Sequence, residues 1–411
     1  MKLLILGLNY APEPVGIGPY TTGLAETLAS RGHVVSVIAG KPYYPQWRPY
    51  DGQPPGRTEG IEHGVRIVRV PHYVPARPTG PKRIAHHLSF AKAARGPAMR
   101  AARERPDLVF AVAPSLLSVP VAARAAKAAG APLWLHVQDF EVEAGLATGL
   151  LGGGAGRVAG LVERRILGMA DVVSTISPQM RAKLIAKGVL EDRAVELRNW
   201  CDPRFDFANA DAGEYRREWD IGDRHVALYS GNIANKQGLD TVIDAARQLV
   251  HRDDIVFVIA GEGPNRAALE ALAKGLGNVL FRDLQPAERM ADFLSLASVH
   301  LLPQIVGAAD LVLPSKLTNM LASGRPVVAT AAPGTGLYAE VEGCGVSTPP
   351  GEAAALADAV AQLIDDRELR KGLGNEARKR AGERWSRDSI IAEFAARAEA
   401  LIAGPRPSNG V

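Results

Sequence analysis

Two doubly wound α/β domains are the fold this sequence predicts, and three observations predict it. Short apolar runs alternate with helical stretches and end in glycine-rich turns; the alternation starts at Leu3, breaks after Asn199 and restarts at Val226. At 411 residues the chain is too long for one simple core. With 47% apolar and 22% charged residues, its composition is that of an ordinary soluble globular protein.

The elements follow in order. Leu3 to Leu8 reads as a buried strand rather than a signal peptide core, because no small-x-small cleavage site follows it. Residues 9 to 18 form a Pro/Gly loop, Tyr20 to Ser30 a helix and Val34 to Ile38 a second strand. Gly16-x-Gly18 lets a ligand approach the backbone, but Thr21 and the missing acid after the second strand exclude the dinucleotide fingerprint, and with it a nicotinamide cofactor. Tyr43, Tyr44 and Trp47 make a dense aromatic loop, suited to sugar or lipid contact or to local packing against prolines. Strands follow at Val65 to Val70, Leu108 to Ala113 and Leu133 to Val137, the last two separated by an alanine-rich helix at 119 to 129.

The strand at 133 to 137 runs into His136-Val137-Gln138-Asp139. Ligands of doubly wound sheets gather at carboxyl ends of strands, so an imidazole and a carboxylate here are placed for chemistry, although a strand histidine is more often a hydrogen-bonded core residue. Leu151 to Gly156 reads as a flexible glycine segment. Strands at Val172 to Ile176 and Val195 to Leu197 close the first half, and the polar, aromatic stretch to residue 224 reads as a hinge. The second half opens with strand Val226 to Ser230, a glycine-flanked loop carrying Asn232 and Lys236, and a helix from Asp240 to Val250. Ile255 to Ala260 leads into the turn Gly261-Glu262-Gly263, and Val279 to Phe281, Val299 to Leu302 and Val327 to Ala329 continue the pattern. Helices at Ala353 to Asp365, Glu368 to Arg384 and Ser389 to Ala403 precede a tail, Pro405 to Val411, that reads as disordered.

Between those last strands lies the stretch around which the chain is organised. Pro314 suits the first position of a helix, Leu317, Met320 and Leu321 give it one apolar face, and Gly324 caps it. Ser315 and Lys316 then stand in an N-terminal turn whose unpaired N–H groups favour a phosphate.

The net charge of +4 is unevenly spread. Residues 1 to 199 hold 25 Lys or Arg against 15 Asp or Glu, and Arg77 to Arg105 holds eight cations against Glu104 alone. Ile84, Leu88, Phe90 and Met99 lie among them, an arrangement that either rests on an anionic membrane surface or is a solvated helix face. No nucleic-acid-binding motif accompanies the charge. No run spans a bilayer, and Cys201 and Cys344 match no metal spacing, which fits a reducing cytoplasm.

Taken together the motifs resemble the retaining GT-B glycosyltransferases of family four, and within it the colanic-acid and exopolysaccharide biosynthesis transferases (WcaI-like). The likeness runs through Asn9-Tyr10-Ala11-Pro12 with Gly16-Ile17-Gly18, Tyr43-Tyr44-Pro45, His136-Val137-Gln138-Asp139, Ser174-Thr175-Ile176-Ser177, Asn199-Trp200, Ser230-Gly231-Asn232-Ile233 with Lys236-Gln237-Gly238, and Gly307-Ala308-Ala309-Asp310 with Pro314-Ser315-Lys316-Leu317-Thr318-Asn319. It implies two Rossmann-like domains facing each other across a cleft: residues 1–198 for the acceptor, 199–384 for the nucleotide sugar, and a helix at 385–403 crossing back. It also implies that Lys236, Ser315 and Lys316 hold the diphosphate, Asn319 approaches the ribose and Asp310 faces the sugar. Gly16 and Gly18 would close over the phosphates, Asn232, Gly261, Glu262, Gly263, Pro314, Leu317 and Thr318 would complete the donor site, and Tyr43, Tyr44 and Trp47 would meet the acceptor. The paired glutamates of the broader family are absent, Asn319 standing at the second, and Gln138 stands where alignment on Asp139 would put the family's histidine.

The reaction so implied moves a sugar from a nucleotide diphosphate sugar, with GDP-fucose indicated, to a glycan or lipid-diphosphate-linked acceptor. Cations and N–H donors at the leaving diphosphate stabilise its developing charge, a role for Lys236, Lys316 and the helix terminus. No Asp-x-Asp motif occurs, so neither metal nor other cofactor is expected. No close carboxylate pair is evident, which favours departure and attack on one face, with His136 or Asp139 orienting acceptor or sugar. The rival readings are a sugar-nucleotide epimerase or phosphorylase on the same shell, and a non-catalytic membrane-surface module. The expected location is the cytoplasm, with the inner face of the membrane as the seat if the basic stretch binds lipid.

Overall fold

A computed structural model describes residues 1–14, 16–140, 153–234, 237–305 and 314–404, the side chains of 153–155 excepted. The chain divides into two compact units, Met1–Arg198 with Asp388–Val411, and Asn199–Arg387.

In the first unit, β1 (Lys2–Gly7), α1 (Gly18–Ser30), β2 (Val34–Gly40), β3 (Thr58–Glu62), β4 (Val65–Val70), α2 (Gly80–Arg103), β5 (Leu108–Ala113), α3 (Val119–Ala129), β6 (Leu133–Val137), α4 (Gly153–Leu167), β7 (Val172–Thr175), α5 (Pro178–Ala186) and β8 (Ala194–Glu196) follow one another. The sheet order is β3-β4-β2-β1-β5-β6-β7-β8. All neighbours pair in parallel except β3, which turns back antiparallel on β4. Leu3 to Gly7 of β1 and the whole of β5 are apolar and buried on both faces, as inner strands of a parallel sheet must be.

The second unit runs through α6 (Gly213–Glu218), β9 (His225–Ser230), α7 (Leu239–Gln248), β10 (Ile255–Ala260), α8 (Arg266–Leu272), β11 (Val279–Arg282), α9 (Met290–Ser295), β12 (Val299–Leu302), α10 (Lys316–Ala322), β13 (Val327–Thr330), α11 (Gly336–Val341), β14 (Gly345–Thr348), α12 (Ala353–Asp365) and α13 (Arg367–Arg384). Its parallel sheet has the order β11-β10-β9-β12-β13-β14. The last helix, α14 (Arg387–Ala403), belongs to the first unit. There Phe394 packs edge-on to Phe110 and against Trp134, with ring centroids 5.2 and 4.9 Å away.

Four local expectations are corrected. The helix expected from Pro314 starts at Lys316, because Ser315 takes the cap position and the first turn is a tight one in which Leu317 N–H donates to the Pro314 carbonyl. Gly153 to Gly156 are helical, as the start of α4, rather than a loose glycine segment; Leu151 and Gly152 lie outside the described residues. The stretch 199 to 224 is not a slack hinge throughout. Tyr215 and Ile221 are buried in the second unit's core with Phe293, and Trp219 packs on them, so aromatic burial fixes that segment. Finally, β3 and β14 carry few apolar residues and α11 spans only six residues, so the sequence pattern leaves all three out. The tail at 405 to 411 lies outside the described residues.

Candidate functional site

In the second unit the strand order turns between β9 and β12, and it is outside the carboxyl ends of such a pair that doubly wound sheets bind ligands. Two glycine turns close on each other there. Gly231 N–H donates to Ala260 O at 3.0 Å, Ile233 N–H to Glu262 O at 2.8 Å and Asn265 N–H to Ile233 O at 3.1 Å. A Cβ on Gly261 would lie 1.8 Å from the Gly231 carbonyl oxygen, and one on Gly263 would lie 2.1 Å from that of Ile233. Only glycine permits this approach.

Lys316 opens α10 and reaches back to the same place. Its Nζ stands 4.0 Å over the Tyr229 ring and donates to Ser230 O at 3.3 Å. Tyr229 is buried and its hydroxyl donates to Asn232 O at 2.6 Å, so a single side chain props both the turn and the ammonium. Sheet order explains the convergence, since β12, which leads into α10, is the neighbour of β9. Leu317, Met320 and Leu321 bury the helix's inner face. At its other end His300 Nε2 meets Ser323 Oγ at 3.0 Å, and that hydroxyl donates to Met320 O at 2.6 Å.

The remaining second-unit residues fall into two groups. Thr318 is buried and its hydroxyl donates to Ser315 O at 2.9 Å, and Leu317 is buried with its N–H held by Pro314 O at 3.0 Å, so neither offers a ligand its side chain. Asn319 Oδ1 accepts Asp202 N–H at 2.9 Å, which ties α10 to the segment after Asn199. Pro314 and Ser315 stand at the mouth of the first turn, with Ser315 exposed. Glu262 is paired with Arg266 at 2.9 Å, and Arg266 also holds Asp283 and Glu270. Lys236 and Asp310 lie outside the described residues.

In the first unit the turn of strand order falls between β1 and β5. The loop after β1 carries Gly16, at φ 71°, and a Cβ there would touch the Tyr44 ring at 3.2 Å. A Cβ on Gly18 would press on the Glu13 carbonyl at 3.1 Å. Glu13 itself was not singled out from sequence. Its buried carboxylate accepts from Tyr43 N–H at 2.9 Å, Tyr44 N–H at 3.0 Å and Asn9 Nδ2 at 2.8 Å, clasping the glycine loop to the aromatic loop. Burial raises its pKa while those donors pull it back. A carboxylate between two prolines in a glycine loop was the available signal.

The aromatic residues are not equivalent. Tyr43 is buried, packed edge-on to Trp47, His72 and His86, whereas Tyr44 and Trp47 are half-buried. Arg83 of α2 lies 5.3 Å over the Trp47 ring. Burial drives the pKa values of His72 and His86 down to about 4, so both imidazoles are neutral. Asp139 is exposed just past β6; burial raises the pKa of the Tyr44 phenol, and the nearby Asp139 charge adds to the rise. His136 is enclosed: desolvation lowers its pKa to about 3, and Ser174 Oγ and the Gln138 amide lie 2.8 and 2.9 Å from its two nitrogens. Among the described residues no group of three His, Cys, Asp or Glu side chains could hold a metal, and no helix is long and apolar enough to cross a membrane.

Comparison with known proteins agrees with this arrangement. Residues 15–200 match the Glycosyl transferase 4-like domain and residues 211–380 match Glycosyl transferases group 1. The chain is 40% identical over 407 residues to the putative colanic acid biosynthesis glycosyl transferase WcaI of Escherichia coli strain K12, covering 96% of this chain and 98% of that one. Among solved structures, sucrose-phosphate synthase from Thermosynechococcus elongatus superposes with a TM-score of 0.74 at 20% identity, over 98% of this chain and all of that one. Anabaena HepE in complex with UDP gives 0.70 at 16% identity, over 97% of this chain and 100% of its own. With two Rossmann-like units, both domain models and near full-length identity to WcaI, the chain belongs to the GT-B glycosyltransferases, in the family of that colanic acid biosynthesis transferase.

Proposed function

We propose that this glycosyltransferase moves a sugar from a nucleotide diphosphate sugar, GDP-fucose being the first candidate, to a glycan or lipid-diphosphate-linked acceptor in cell-surface polysaccharide biosynthesis. The observation that carries the donor half is the meeting of Lys316 with the glycine turns at the β9 end. A fixed ammonium and close-approach backbone favour a diphosphate leaving group, and losing one such donor in a transition state typically costs about 3–4 kcal/mol. Lys236, Ser315 and the N–H group of Thr318 would complete that cradle, with Asp310 toward the sugar. The name of the Escherichia coli relative supports the polysaccharide context.

The first unit takes the acceptor, with Tyr44 and Trp47 offering aromatic faces and Asp139 a carboxylate beside them. Transfer proceeds with retention and without a metal. The basic helix α2 rests on the inner face of the membrane: Ile84 and Leu88 are 47% and 51% exposed between Lys82, Arg83 and Lys92. The test is a transfer assay with GDP-, UDP- and ADP-sugars and a lipid-diphosphate-linked acceptor, in the presence of EDTA, with the product anomer read by NMR. A product that keeps the anomeric configuration of its donor, β from GDP-fucose and α from an α-linked donor, supports the reading. A product formed without acceptor would point instead to an epimerase or phosphorylase.

A further inference from the structure

Glu13 is a carboxylate that the transfer chemistry leaves unused. It is 3% exposed, and among the described residues no Lys, Arg or His pairs with it; its partners are N–H donors alone. Oε1 accepts the backbone N–H groups of Tyr43 and Tyr44 at 2.9 and 3.0 Å, and Oε2 accepts the Asn9 amide at 2.8 Å. Burying a carboxylate without a counter-ion costs stability, and here only its hydrogen bonds offset that cost.

Those bonds join segments far apart in sequence. Asn9 follows β1, Gly18 opens α1, and Tyr43 and Tyr44 follow β2, the neighbour of β1 in the sheet. Both tyrosine donors are main-chain groups, so Glu13 fixes the path of the chain at 43 and 44 and, through it, the aim of the side chains. The Tyr44 N–H is held by Glu13 and its carbonyl accepts from the Tyr50 hydroxyl at 2.8 Å. The Tyr44 ring then lies on the Gly16 backbone, and Trp47 stands edge-on to it with centroids 6.5 Å apart. On the other side, a Cβ on Gly18 would touch the Glu13 Cβ at 3.2 Å.

We propose that Glu13 is a positioning residue for acceptor capture, fastening the aromatic loop to the glycine loop so that Tyr44 and Trp47 are set toward a sugar and the two loops move together. This rests on the reading that the aromatic loop meets the acceptor. What the arrangement uses is the reach of the side chain rather than its charge. Glutamine keeps the reach and one oxygen for both tyrosine N–H groups, and its NH₂ meets the Asn9 carbonyl once that amide turns over. Aspartate keeps the charge but ends one methylene short of the same donors.

Two experiments test it. The first needs no substrate: hydrogen exchange, read by mass spectrometry in peptides covering 41–50 and 16–20. Glu13→Gln is expected to keep wild-type protection, and Glu13→Asp to lose it in both peptides while peptides of the second unit are unchanged. Wild-type protection in Glu13→Asp overturns the proposal. The second is the transfer assay, in which Glu13→Asp is expected to raise the acceptor KM about tenfold with kcat changed far less, and Glu13→Gln to match the wild type. An unchanged acceptor KM in Glu13→Asp, or a Glu13→Gln variant as impaired as Glu13→Asp, overturns the proposal and leaves the glycosyltransferase reading intact. Should Glu13→Asp fail to fold, Glu13→Gln decides: wild-type protection and acceptor KM support the proposal, and loss of either overturns it. If the wild type transferred nothing from any donor, the glycosyltransferase reading would fail first and hydrogen exchange would still decide the clasp.

Discussion

At Gly261 one hydrogen atom decides whether two turns can meet. A methyl group there would penetrate the Gly231 carbonyl, so Gly261→Ala is expected to cost about 3 kcal/mol in urea unfolding and to loosen nucleotide binding. A variant of wild-type stability would contradict that. Buried histidines give a second expectation. His136 and His300 have folded pKa values lowered to about 3 by desolvation, against about 6.5 unfolded. Between those values the unfolded chain binds more protons, so their stability contribution is present above pH 6.5 and is lost as pH falls, at up to about 1.4 kcal/mol per pH unit for each. Urea midpoints should fall between pH 7 and pH 4.5, and His300→Gln should flatten the fall; an unchanged slope would count against it. Residues of this kind divide by legibility. Gly261, Gly263 and Lys316 could be read from sequence because turn chemistry is local, whereas Glu13 and Ser174 matter only through partners 30 and 38 positions away.

Elements were legible where apolar period and length agreed. The long helix at 353–365 and the inner strands follow directly from their patterns, since burial on both faces leaves continuous apolar runs. Edge elements were not: β3 has one apolar residue in five, and its existence depends on pairing with β4. Helix α2 shows how charge and period combine. Phe90, Ala94 and Ala98 face inward, while Ile84 and Leu88 stand exposed among lysines and arginines. Each cation near an anionic surface is worth about 1 kcal/mol, an attraction that salt screens. Ile84→Glu with Leu88→Glu should abolish binding to phosphatidylserine vesicles at low salt and spare nucleotide binding. Retained vesicle binding would assign α2 to solvent.

On the scale of the whole molecule, two units built on one plan differ in what closes them. Each turns its strand order once, and each places a glycine loop at that point. The first unit is completed by α14, drawn from the far end of the chain. Phe394→Ala should cost that unit about 3–5 kcal/mol, because the ring fills space against Phe110 and Trp134. Calorimetry should then show a transition that shifts and a second that does not; a uniform shift would mean that the units unfold as one. The doubly wound plan was legible because strand, glycine turn and helix repeat in order, and so was the meeting place of the glycine turns and Lys316, because those residues sit at strand ends. The hydrogen bonds around His136 were not, because register between strands is a tertiary property.

The measurement that bears most directly on the donor site is thermal stabilisation by GDP, UDP and ADP and their sugars, in the wild type, Lys316→Ala and Lys236→Ala. A ligand at a hundred times its dissociation constant adds about 2.7 kcal/mol of stability. The expected result is that one nucleotide family raises the wild-type melting temperature and that both substitutions abolish the rise at the same ligand concentration. Stabilisation that survives Lys316→Ala unchanged would contradict the assignment of the diphosphate to the α10 terminus and the β9 glycine turn.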